Sequence, residues 1–419
     1  MNLVNVSSWL LLAAFLVYCL SFILYVVSVT GRRSAAADPD AYTRRWGGIG
    51  FVLTALGLAC QAGFFFTRWA AAGHIPTSNM FEFMTFLGMM IVAAFIIVYL
   101  IYRKPVLGAF AMPVAIIIIA YASVFPREIQ PLIPALQSYW LKIHVTTAAT
   151  GEAFFAVGFA AGLMYLLRTV NYKDTNERTL KERRGVELTL FVILMILSFV
   201  FAVFTFQAAG YDAQFSREVV KIDKNGTPTT EMEKVSYVLP AIVMPSNSQV
   251  VHMDSFLGMK EPLFEAPSWM KGVNAGRKLN TVIWSFLLAL IIYGLLRLAI
   301  RKPLGAAIQP LMKGMDPDDL DEISYRAIAI GFPIFTLGAL IFAMIWAAEA
   351  WGRFWGWDPK EVWALITWLY YAAYLHFRLS RGWLGRRSAW LTVIGFIIVM
   401  FTLIGVNLII AGLHSYAGV

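Results

Sequence analysis

Two kinds of side chain in this sequence have types and spacing suited to chemistry. The first is imidazole: the chain has 5 histidines in 419 residues, His74, His144, His252, His376 and His414. The second is indole. Residues Trp346 to Trp368 read WAAEAWGRFWGWDPKEVWALITW, with tryptophans at 346, 351, 355, 357, 363 and 368 and another at 383, half of the 14 in the chain. Tryptophan collects at bilayer interfaces, which accounts for two or three of these positions. It does not account for Gly352 and Gly356 between them, since glycine lets a backbone approach a flat ligand closely. Nor does it account for the Asp358-Pro359-Lys360-Glu361 that follows. That tetrapeptide is a helix start: Asp caps, Pro takes the first helical position and Glu361 occupies the capping-box place. The expected result is an aromatic platform held by a helix N-terminus. A large planar apolar ligand suits it, with acidic edge groups meeting Arg353 or Lys360.

The elements that must position these groups are membrane helices. The composition is 59% hydrophobic and 14% charged, against about 45–50% and about 25% in soluble domains, which argues against a water-soluble enzyme. A hydrocarbon core needs about 20 apolar residues of helix, and ten runs qualify, near 8–29, 49–69, 82–102, 106–123, 146–168, 186–208, 281–300, 326–348, 363–379 and 389–411. The first lacks a basic leader and exceeds a signal core in length, so it reads as a retained anchor. Alternate loops carry 21 of the 34 Lys and Arg, which places those loops inside and both termini outside. This topology explains the net charge of +9 and removes nucleic acid as a partner. The expectation is an all-α polytopic protein of about ten spans in the inner (cytoplasmic) membrane, with its active face on the periplasmic side. Residues 1–208 hold helices one to six, 209–280 form an external loop, and 281–419 hold helices seven to ten. In that loop Val219–Val238 alternates polar and apolar residues around Asn225-Gly226, the pattern of a β-hairpin. Cys19 and Cys60 lie in apolar runs and form no disulfide framework.

The run WGRFWGWDPKEVWALITWLYYAAYLHFR resembles the tryptophan-rich WWD signature of proteins that handle haem in cytochrome c maturation. Within that group it is similar to the CcsA/ResC family of the system II pathway, because of the DPKE-x-WALITWL continuation. The segment Gly73–Glu82 resembles the family's GHxPxSNxxE element, and the terminal GLHSYA resembles its end. Loop 209–280 matches nothing specific.

The resemblance implies that His144 and His414 are the two external axial ligands of a haem b iron. By their places in the chain, His144 opens the fifth helix and His414 follows the tenth, so both sit at the outer level beside the platform. Trp351, Trp355, Trp357 and Trp363 would shield the ring, and Asp358 would order the loop. His376 lies 13 residues after Trp363, about 20 Å further in at helical rise, so it cannot serve the same iron. The family uses the matching histidine for a haem inside the membrane, its second ligand coming from a CcsB/ResB-type protein. The implied partners are that protein, an apocytochrome c and a thioredoxin-like thiol reductant. The implied activity is that of a cytochrome c synthase (haem lyase) component, with no catalytic residue beyond those that position haem. His74 reads as structural, next to Asn79 or Ser78 capping the third helix, and His252 as a surface residue. Glu152 and Glu349 either bond a ligating imidazole or face water. Two other readings stay open: a haem transporter or chaperone that leaves ligation to another factor, and a polytopic transporter of an unrelated solute.

Overall fold

A computed structural model describes residues 2–31, 38–129, 132, 137–222, 228–267, 269–270 and 275–406, by their backbone alone over 219–222 and 228–231. Its architecture is helical. The elements are α1 (Leu3–Thr30), α2 (Pro39–Ala72), α3 (Met80–Tyr102), α4 (Pro105–Ala122), α5 (Tyr139–Thr169), α6 (Glu177–Ala208), α7 (Ala275–Ile300), the short α8 (Leu304–Ile308), α9 (Pro317–Phe335), α10 (Ala343–Trp351), α11 (Pro359–Arg381) and α12 (Arg386–Met400). A π-helical segment, Thr336–Phe342, joins α9 to α10, so that Pro317–Trp351 is one long span. Among the described residues nine helices are long and apolar enough to cross a membrane. The chain is therefore an all-α, multi-pass membrane protein.

The ninth expected span, 363–379, corresponds to α11, which has 23 residues but falls outside the apolar set. Its length, at about 1.5 Å per residue, still covers a bilayer core. What lowers its hydropathy is its content of Lys360, Glu361, Tyr370, Tyr371, Tyr374, His376, Arg378 and Arg381. The last expected run, 389–411, is described as far as residue 406.

The chain divides into two compact units. In the first, which takes in residues up to Val186 and again from Gly305 to Leu403, α5 is the central helix. It packs on α3, α4, α9, α12 and the π segment. Small residues make this possible. A Cβ on Gly151 would sit 2.6 Å from Phe335 N, and one on Gly158 2.9 Å from Ile328. Apolar side chains gain nothing by leaving lipid for each other, so close backbone approach through Gly and Ala is what holds such helices together. Buried polar pairs fix the register elsewhere: Tyr18 donates to Gln61 at 2.8 Å, Ser21 meets Thr54 at 2.6 Å, and Arg68 pairs with Glu82 at 2.8 Å. The α3 start follows expectation, with the Asn79 side chain accepting from Glu82 N at 2.9 Å.

The second unit, Glu187–Leu304, groups most of α6 and α7 with the segment between them. The expected hairpin is present as β1 (Ala213–Ile222) against β2 (Pro228–Tyr237), antiparallel from Ala213↔Tyr237 to Ile222↔Pro228. β4 (Ser248–Met253) adds a third strand on the other side of β1. A separate parallel pair joins β3 (Val243–Met244) to β5 (Phe264–Glu265). Ala213, Phe215, Val235, Tyr237 and Ala241 form a small core under the sheet. Asn280 of α7 anchors the linking segment: its Oδ1 accepts from Ile242 N and Val243 N at 2.9 and 3.2 Å, and its Nδ2 donates to Pro240 O at 3.0 Å.

Candidate functional site

The geometry around His144 starts nearly two turns before it. Ser138 caps α5, its hydroxyl accepting from Trp140 N at 3.0 Å and donating to Glu349 Oε2 of α10 at 2.8 Å. This settles the role of Glu349: its carboxylate ties the start of α5 to α10. From that start His144 reaches the π segment, and its Nδ1 lies 2.9 Å from Gly338 O. A carbonyl only accepts, so Nδ1 carries the proton and the lone pair belongs to Nε2, the tautomer that suits a metal ligand. The imidazole lies flat against Trp346, with ring centres 5.6 Å apart and planes 11° from parallel. Trp351 meets Trp346 edge-on at 4.7 Å.

Two local features allow this approach. Gly338 comes so close to α5 that a Cβ there would be 2.3 Å from Ala148 N. The π turn, where Ala343 N bonds back to Gly338 O, also presents that carbonyl toward His144. π turns interrupt α-helices often at functional sites. Neither Gly338 nor Trp346 stands among the site residues expected from sequence. Trp346 was visible as part of the tryptophan run, but its partner depends on the π turn, which Thr336–Phe342 (TLGALIF) does not announce by composition.

The loop after α10 has the expected start to α11. Asp358 caps it, Pro359 follows, and Glu361 completes the capping box. Glu361 Oε2 accepts from Asp358 N at 3.2 Å and from Gly356 N at 2.7 Å, so one carboxylate orders the whole WGWD turn. The two glycines of this loop differ in setting. Gly352 has φ +69° and ends α10, its N–H bonding Ala348 O, while a Cβ on Gly356 would strike the Arg353 guanidinium at 2.6 Å. Gly352 thus serves the turn that ends α10, and Gly356 leaves room for the Arg353 side chain. Trp357 also has positive φ, at 57°, and is 69% exposed, with Trp355 perpendicular to it at 6.2 Å. Trp363 packs on Phe401 at 4.4 Å, and Trp368 donates to Thr336 Oγ1 at 2.9 Å, fixing α11 against the π segment.

The other histidines differ in setting. His376 is exposed on α11 beside Phe377, and Ser380 Oγ is 3.5 Å from its Nδ1. His74 is buried with Nδ1 against Ile75 O at 3.1 Å, and His252 sits on β4 near Asp254. The structure thus brings His144, Trp346 and Trp351 together, and leaves His376 well separated along α11. His414 lies outside the described residues. Glu152 is buried in the bundle rather than at its edge.

Comparison with known proteins agrees with this architecture. The family profile described as Cytochrome C assembly protein matches residues 77–247 and 280–414. Proteins named cytochrome c biogenesis protein CcsA are similar along the chain: 32% identity over 420 residues in Gloeothece citriformis (strain PCC 7424) and 32% over 426 in Trichormus variabilis (strain ATCC 29413 / PCC 7937), each covering 99% of both chains. The one from Gloeobacter violaceus (strain ATCC 29082 / PCC 7421) is 30% identical over 372 residues, 88% of this chain and 86% of its own. The oriented imidazole, the WGRFWGWDPKE turn and a likeness of this length lead to one conclusion: the chain belongs to the CcsA family of cytochrome c assembly proteins.

Proposed function

We propose that this protein acts in cytochrome c biogenesis as the membrane component that presents haem b for covalent attachment to an apocytochrome c. The observation that carries the reading is the setting of His144. Its Nδ1 is tied to a main-chain carbonyl, and its ring is braced face-to-face by Trp346. Outer partners of this sort hold a ligating ring in one tautomer and orientation, and raise its basicity. The donor set suits haem iron, for which imidazole is a common axial ligand. The indoles of Trp351, Trp355, Trp357 and Trp363 offer the apolar surface a porphyrin needs, Asp358 orders the loop, and His414 is the second ligand in this reading.

The attachment is an addition. Each cysteine S–H of a CxxCH segment crosses a vinyl group, sulfur bonding one carbon and hydrogen the other, with no net oxidation or reduction. The substrates supply nucleophile and electrophile, so the protein needs no catalytic triad. It contributes placement, and well-oriented reactants gain about 7–11 kcal/mol over free encounter. His376, exposed on α11, is in this scheme one ligand of an inner haem whose other ligand comes from a CcsB/ResB-type partner. A thioredoxin-like reductant keeps the cysteines as thiols. Haem reaches the outer face of the inner membrane through the bundle, and both termini lie on that side.

The test is an absorption spectrum of the protein purified with its partner. A six-coordinate, low-spin haem spectrum is expected, along with thioether product when apocytochrome is added. His144→Ala is expected to abolish product and free imidazole to restore part of it. Haem movement without product in the complete system would assign ligation to another factor. Purified complex without haem would overturn the reading.

A further inference from the structure

Helices α11 and α12 face each other along a line of polar side chains that the haem site does not use. Thr367, Tyr371, Tyr374 and Arg378 recur on α11 at helical spacing, Ser388 and Thr392 do so on α12, and Thr402 follows in the π-helical segment Phe401–Gly405; apart from Thr402, all are buried. Their links are short. Thr367 Oγ1 is 3.1 Å from Thr402 Oγ1, and Tyr374 OH is 3.2 Å from Ser388 Oγ. Ser324 of α9 donates to Thr392 Oγ1 at 3.3 Å, and Arg378 Nη1 donates to Ser388 Oγ and to both Asp321 oxygens at 2.8–2.9 Å. From Thr367 to Arg378 the line covers about 16 Å at helical rise.

Two atoms at its middle are unsatisfied. Glu152 Oε2 of α5 and Tyr371 OH are buried with no hydrogen-bond partner among the described residues. Their side chains bear on each other electrostatically. The Tyr371 ring is stacked on Phe155 at 3.8 Å, and its hydroxyl reaches Gly395, where a Cβ would lie 3.0 Å away. The titratable groups around this phenol are Glu152, Tyr370 and Tyr374, and the charged pair Arg378–Asp321 closes one end of the line. A carboxylate ion without a partner in such a place costs far more than its neutral acid. Carboxyl groups inside membrane bundles commonly belong to proton relays. A buried acid and a buried phenol, both with unused capacity, also meet the needs of a bound water, which takes two to four polar partners.

We propose that Glu152 and Tyr371 form a proton-exchange site that binds water in the middle of the bundle. The hydroxyls of Tyr374, Thr392 and Ser388 connect it to the Arg378–Asp321 end. The proton moves between water and the Glu152 carboxyl without change of redox state, and the site works whether or not haem is bound.

Infrared spectroscopy of the full-length protein in H2O and D2O tests this. A C=O stretch of a protonated carboxylic acid is expected at neutral pH, shifting in D2O and missing in Glu152→Gln. Thr392→Val, which keeps the shape and removes the hydroxyl, is expected to slow the deuterium shift several-fold. If Glu152→Gln does not fold, Glu152→Asp keeps the acid and should move the band. The proposal is overturned if the acid band is insensitive to both Glu152 variants, if it fails to shift in D2O, or if Thr392→Val exchanges at the native rate.

Discussion

Gly338→Ala is the sharpest probe of how His144 is held. A Cβ built at Gly338 falls 2.3 Å from Ala148 N and 2.7 Å from both Ala148 Cα and Thr147 C. Comfortable contact is about 3.5–4.0 Å, and all three neighbours are backbone, so α5 and the π turn must part by about 1 Å or more. That displacement takes the His144 Nδ1 to Gly338 O distance from 2.9 Å to about 4 Å, beyond the hydrogen-bond range. Two effects follow. Overpacking costs about 1–3 kcal/mol of stability. Loss of the outer partner to a ligating histidine weakens metal affinity by about 10–100-fold, about 1.4–2.8 kcal/mol. Haem titration followed by absorbance reads the second effect, and thermal unfolding in detergent reads the first. A control is Gly294→Ala on α7, where a Cβ meets nothing within 4 Å and a gain of about 0.5–1 kcal/mol is expected. If Gly338→Ala melts earlier yet binds haem with native affinity, the carbonyl does not orient the imidazole, and the argument for the site fails.

Other outcomes follow from the same structure. Asp358→Ala removes the α11 cap and should cost about 0.5–2 kcal/mol in thermal unfolding, with Asp358→Asn recovering most of it. Arg68→Ala leaves Glu82, whose side chain is 0% exposed, without its counter-charge and with only its bonds from Ser78, and should cost about 3–5 kcal/mol. Lys104→Ala breaks a pair with Asp319 whose side chains are about half exposed and should cost under about 1 kcal/mol; equal losses in the two variants would contradict the burial argument. Asn280→Ala leaves the main chain at 240–243 without its three bonds, and limited proteolysis should cut that segment faster while α7 stays intact.

The spans were legible because a bilayer imposes a length and a composition that any reader of the sequence can apply. The capping box at Asp358 and the antiparallel pair β1–β2 were equally readable, since each depends on residues close in sequence, although Asn225-Gly226 itself lies outside the described residues. Missing from view was whatever depends on distant contacts. β4 pairs with β1 across more than thirty residues, through a strand whose side chains are largely exposed and so lack an alternating signature. The stack of His144 on Trp346 requires a π turn and two backbones in contact through Gly338, neither of which has a composition cue. The same holds for the glycines of the tryptophan loop, whose types signal freedom of conformation but not its purpose.

The π turn at Thr336–Phe342 also sets the phase of everything after it. Such a turn holds one residue more than the α turn it replaces, so the helix beyond it is rotated by about a hundred degrees relative to an uninterrupted one. Removing a single residue there would let the ladder revert to regular winding while preserving every aromatic side chain. Trp346, Glu349 and Trp351 would then point toward a different neighbour, and a protein with all its indoles intact would lose its grip on the imidazole.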